Sequence, residues 1–119
     1  MRELTKAEEE IMQILWEIER GVVWDVIELL PEPKPAYNTV STFIRILEQK
    51  GFIDHDANGK THTYFTIVSK EDYRRYEAEK LMSNYFDNSL TELVSFFVKD
   101  KNMSLADADE IVRLIQQQK

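Results

Sequence analysis

The sequence has no cysteine, two histidines, three glycines and three prolines in 119 residues. Without cysteine there is no disulfide, thiolate metal site, iron–sulfur cluster, cysteine nucleophile or thiol switch. Two histidines leave a zinc site dependent on carboxylates or on a second chain. With 43% hydrophobic and 31% charged residues, the composition excludes fibrous and disordered classes. It fits one folded domain, or a small one with an appendage. No apolar run approaches the roughly 18 residues of a membrane span, so no membrane insertion is expected. Met1-Arg2-Glu3-Leu4 leads straight into a charged helical pattern with no signal-peptide features, and the expected location is the cytoplasm. Positive charge is also scarce. A net charge of −7 argues against a strongly electropositive nucleic-acid binder and leaves room only for a local basic patch.

Catalytic motifs are missing too. There is no glycine-rich phosphate loop, paired-histidine metal motif or serine elbow. The 22 carboxylates are spread mainly over helix faces, where they solvate the surface. The sequence predicts no enzyme, no cofactor and no metal centre.

What is present is periodicity. Leu4, Ala7, Ile11, Ile14, Leu15 and Ile18 make one apolar helix face, with Thr5 and Glu8 as a capping box and Gly21 as its stop. Residues 22–30 form a second helix with Val23, Val26, Ile27 and Leu30 inward, stopped at Pro31. A third runs from Tyr37 or Asn38 to Lys50, with Val40, Phe43, Ile44 and Leu47 inward and Asn38 a candidate cap. The period then changes to two strands around a turn at Asn58-Gly59. Beyond Val68 the pattern is helical again, with Ser69 and Ser104 as caps and breaks at residues 87–89 and 99–102. The expected fold is mainly α with a small β-hairpin: an N-terminal winged helix-turn-helix over 1–68 and a helical dimerisation domain over 69–119.

The tail is too short to enclose its own core and too apolar to lie free in water. A homodimer is the expected answer, burying Leu81, Leu90, Leu93, Val94, Phe97, Ile111 and Ile115 between chains. The alternative is a tail folded back over the first 68 residues of its own chain.

Three helices and a hairpin place the third helix in the major groove and the hairpin tip against the backbone. Its exposed side chains would be Asn38, Thr39, Ser41, Thr42 and Arg45, joined by Lys60, His62 and Tyr64 from the hairpin. Asn can bond an adenine edge, and hydroxyls can hold bases or phosphates. Each has a plainer reading: Asn38 as a cap, Tyr37 as packing, the hydroxyls as ordinary surface. Charge favours the DNA reading locally. Residues 1–68 hold seven Lys or Arg against twelve Asp or Glu, but residues 34–62 hold four against three. His55 and His62 on neighbouring strands lack an evident third and fourth metal ligand.

Leu4-Thr5-Lys6-Ala7-Glu8, Ile14-Leu15-Trp16, Thr39-Val40-Ser41-Thr42-Phe43-Ile44, Lys50-Gly51-Phe52-Ile53 and the wing Asn58-Gly59-Lys60-Thr61-His62-Thr63-Tyr64 together resemble the penicillinase-repressor family, essentially along the whole chain. The resemblance implies a homodimeric transcriptional repressor on dyad-symmetric operators of resistance or membrane-sensor genes. It puts Thr39, Ser41 and Thr42 on operator-facing positions, where the family often has a basic residue in place of Ser41. It also implies a membrane-sensor-linked protease cutting the dimerisation domain. The scissile pair there falls on Phe96-Phe97, with phenylalanine in place of asparagine at Phe96; packing in the dimer core is the plainer reading of both. The cysteine motif of copper-responsive relatives is missing. The competing reading is a dimeric winged-helix adaptor that binds protein and not specific DNA.

Overall fold

The computed structural model describes residues 1–100 and 103–117, apart from the side chain of Ile115. The elements are α1 (Lys6–Ile18), β1 (Arg20–Gly21), α2 (Val23–Leu29), α3 (Tyr37–Gln49), β2 (Ile53–Asn58), β3 (Thr61–Thr66), α4 (Lys70–Tyr85), α5 (Leu90–Asp100) and α6 (Leu105–Gln117). They fall into two compact units, residues 1–74 and 75–119. None of the described helices is long and apolar enough to cross a membrane.

The first unit is a winged helix-turn-helix. Thr5 accepts from the Glu8 N–H, and Glu8 accepts from the Thr5 N–H, which closes the capping box and starts α1. The apolar stripes of α1, α2 and α3 meet in a core whose fully buried members include Met12, Leu15, Val26, Val40, Ile44 and Leu47. Phe52 and Ile53 close it from the sheet side. Lys50, just after α3, bonds both the Glu3 carbonyl (2.8 Å) and the Glu8 carboxylate (2.5 Å), tying the end of α3 to the start of α1.

The sheet has three antiparallel strands in the order β1-β3-β2. The short strand β1 was not expected. Gly21 does not stop α1; that helix ends at Ile18, and Glu19 takes the positive φ of 68°. Gly21 pairs with Tyr64, and any Cβ there would come within 2.8 Å of Ile18 Cδ1 and 3.0 Å of the Asp25 carboxylate. The constraint at Gly21 is close packing, not turn geometry: the Ile18 and Asp25 side chains would have to shift to admit a larger residue. The hairpin turn also lies one residue beyond Asn58-Gly59. Asn58 pairs with Thr61, so Gly59 and Lys60 form the loop, and Gly59 carries the positive φ of 65°.

The first turn of α4 belongs to this unit. Ser69 accepts from the Asp72 N–H at 3.0 Å. Buried Tyr73 packs 5.7 Å from the rings of both Trp16 and Phe52, and the Trp16 indole N–H donates to the Val68 carbonyl at 2.9 Å.

In the second unit, Asp87 and Asn88 both adopt positive φ between α4 and α5. Ser89 and Ser104 cap α5 and α6 by accepting from Glu92 and Asp107 N–H groups. Phe96 lies between Phe86 and Phe97, edge-on to both at 5.7 and 5.6 Å. Leu81, Tyr85, Phe86, Leu93, Phe96 and Phe97 line an apolar groove of about 450 Å³. No described residue of α5 or α6 is buried.

Candidate nucleic-acid interface

Because α3 buries Val40, Ile44 and Leu47, its opposite face presents Asn38, Thr42, Arg45 and Gln49 at successive four- and three-residue steps, all exposed. Gln49 extends the row beyond Arg45, the last candidate on the helix read from the sequence. Asn38 does not cap the helix. The N-cap is Ala36, with no side-chain bond, so Asn38 is already helical and its amide is free to face outward. Thr42 Oγ1 donates to the Asn38 carbonyl at 2.8 Å. Its proton is committed, which leaves the oxygen an acceptor and the methyl an apolar contact.

Thr39 and Ser41 flank this row on opposite sides. Thr39 lines a separate hollow with Ala7, Glu10, Pro31 and Phe43. Ser41 lines a cleft of about 560 Å³ between α2, α3 and the wing, shared with Val22, Val23, Trp24, Tyr37, Arg45, Lys60, Thr61, His62 and Tyr64. Five predicted residues therefore converge there: Ser41, Arg45, Lys60, His62 and Tyr64. Tyr64 is set apart from the others by its burial. It is only 5% exposed and forms part of the cleft wall. Burial, with help from the Glu48 charge, raises its phenol pKa against the opposing effect of Arg45. It stays a neutral hydrogen-bonding group.

No carboxylate lines this cleft. Arg45 and Lys60 make no hydrogen bond or ion pair with any described residue. Several other cations of the unit are engaged, Arg20 with Asp56, Lys50 with Glu8 and Lys34 with the Glu28 and Leu30 carbonyls, whereas Arg2, Lys6 and Lys70 lie outside the cleft. The wing sorts its charge by strand alternation. His55, Ala57, His62 and Tyr64 share one face; Asp54, Asp56, Thr63 and Phe65 share the other, where Arg20 also lies over Phe65 at 5.0 Å. Glu48 is the carboxylate of α3, and His55 Nδ1 is hydrogen-bonded to it. The His55 ring stacks on His62 at 4.2 Å and 15°.

Glu48, Asp54 and His55 bring three donor atoms within 4.8 Å of one another, so His55 has carboxylate neighbours that the sequence did not reveal. These are the residues that could hold a metal, although His55 Nδ1 is already bonded to Glu48 and its backbone N–H donates to Asp54 at 2.8 Å. The sequence reading also missed Trp24. At 63% exposure, it packs at a tilt against Tyr37, with ring centroids 5.0 Å apart, on the edge of the cleft.

The family profile described as penicillinase repressor matches residues 4–117. The methicillin resistance regulatory protein MecI of Staphylococcus aureus (strain N315) is 25% identical over 114 residues, covering 95% of this chain and 93% of its own. The penicillinase repressor of Bacillus licheniformis is 20% identical over 118 residues, covering 98% and 92%.

Proposed function

The chain belongs to the penicillinase repressor family, and from that membership we propose that it binds a dyad-symmetric DNA operator as a homodimer and represses the gene beyond it. The observation that carries this reading is the cleft beside α3. Its two cations pair with no described residue, no carboxylate lines it, and it adjoins the exposed row Asn38, Thr42, Arg45 and Gln49.

In this reading α3 enters the major groove, and Arg45 and Lys60 take backbone phosphates. Thr42, a committed acceptor with a methyl group, suits a base-edge amino donor or a thymine methyl. Thr39 lies on the far flank and reaches the backbone on that side. If each half of a dimer places Arg45 and Lys60 on one phosphate apiece, four phosphates are neutralised. Binding should then weaken with salt at a log–log slope of roughly −4.

Such thin electrostatics make single half-sites weak. The apolar surfaces of α5 and α6 supply the remedy, because joining two half-sites raises their effective concentration. Separating the chains therefore switches repression off. A cut within residues 93–100 would do so, and Phe96 and Phe97 sit there on one helix. The protease is one linked to a membrane sensor. The relatives' names, methicillin resistance regulatory protein and penicillinase repressor, point to resistance genes as the target class. Mass spectrometry of the protein from induced cells tests the switch: fragments ending in 93–100 support it, and intact chain throughout derepression refutes it.

Selection from a random duplex pool tests DNA reading. Full-length protein should enrich one motif, and replacing Thr42 with Val should change the preferred base at its position. Failure to enrich any sequence favours the protein-binding adaptor, a reading that the net charge of −7 motivates.

A further inference from the structure

Trp24 and Tyr37 are exposed in a unit whose other Phe, Tyr and Trp rings are buried or half-buried. The two rings touch in a tilted arrangement, with centroids 5.0 Å apart and planes at 43°, so each packs on the other without being buried. The core does not require Trp24, because α2 is anchored by Val23, Val26 and Ile27. Neither the indole N–H nor the Tyr37 hydroxyl bonds any described residue. The pair forms an aromatic edge of the cleft that also holds Ser41, Arg45, Lys60 and His62.

A DNA strand alternates anionic phosphates with apolar deoxyribose faces. This cleft sets unpaired cations beside aromatic faces, with no carboxylate to repel the strand. We propose that Trp24 and Tyr37 grip the deoxyribose of the strand whose phosphates meet Arg45 and Lys60, a backbone contact that is not ionic. The proposal rests on the duplex-binding reading above and adds to it a second way of holding the backbone. It compensates a sparsely basic face: ring burial contributes affinity that salt does not screen.

That difference in salt response gives the test. Full-length protein and variants are titrated into a labelled random-sequence duplex at several salt concentrations. Trp24→Ala should lower affinity about tenfold at every salt concentration and leave the salt slope unchanged, the loss expected when part of an indole ring no longer leaves water on binding. Trp24→Phe should restore most of the affinity. Lys60→Ala should instead reduce the slope by about 1. As a second readout, duplex should quench tryptophan emission in the wild type. Trp24→Phe should abolish that quenching, because the remaining Trp16 is bonded inside the unit. The grip alone is overturned if Lys60→Ala weakens binding while Trp24→Ala binds like the wild type. It is also overturned if the Trp24→Ala loss comes with a reduced slope, or if duplex leaves the emission unchanged. If the wild type binds no duplex at low salt, the grip and the reading beneath it fall together.

Discussion

The two units use similar apolar content in opposite ways. In residues 1–74 the apolar faces of α1, α2 and α3 are spent on one another, and Ile44, Leu47 and Leu15 have no exposed surface. In residues 75–119, α5 carries Leu90, Leu93, Val94, Phe96, Phe97 and Val98 and buries none of them. Tyr85 is 77% exposed and Leu105 is 86% exposed. That much apolar surface on a short helical tail is what the proposed homodimer would cover. The difference suggests a division of labour: the first unit is complete as a fold and reads DNA, while the second joins two readers.

Removing the second unit should give the largest effect. A fragment ending at Arg74 keeps Tyr73 on Trp16 and Phe52, so it should fold, remain monomeric and lose about 10²–10⁴ in operator affinity by anisotropy titration. A fragment that binds like the full chain would erase the contrast. Next comes the core of the first unit. Ile44→Ala should cost about 2–5 kcal/mol by denaturant unfolding. Phe97→Asp should leave that unit's unfolding unchanged and break the dimer instead.

The Glu8–Lys50 pair gives an intermediate effect with a pH signature. Burial pushes the Glu8 carboxyl upward, but the hydrogen bonds from Lys50 and the Thr5 backbone N–H outweigh it and hold the pKa below the ordinary 4.5. A carboxylate whose pKa is depressed in the folded state stabilises above the unfolded value. That stability is lost as pH falls below about 4.5 through the folded pKa. Glu8→Gln should flatten this acid limb of the stability profile. The smallest effect is Thr5→Ala, which removes the cap of α1 for about 1 kcal/mol.

Much of this was legible in the sequence because it follows from period and capping. The inward faces of α1, α2 and α3, the Thr5 box and the Ser69 and Ser104 caps depend on neighbours three or four residues away. Features set by distant neighbours were not legible. Two residues, Arg20 and Gly21, are too short to show a strand period and become β1 only because Phe65 and Tyr64 lie opposite. Tyr64 alternates with His62 as a surface residue would, yet it is buried in the wall of the cleft. The placement of Arg45 and Lys60 could be read from their positions. That they are unpaired could not, because it depends on which carboxylates the fold brings near them; Glu48 is bonded to His55 and Asp56 to Arg20. Trp24 did leave a signal, since it falls off the stripe of Val23, Val26, Ile27 and Leu30.

Sedimentation velocity of the full-length protein, alone and at micromolar concentration, tests the division of labour most directly. Dimerisation through the tail predicts a species of twice 14.1 kDa that Phe97→Asp converts to a single chain. A wild-type species of 14.1 kDa across the whole concentration range would contradict it.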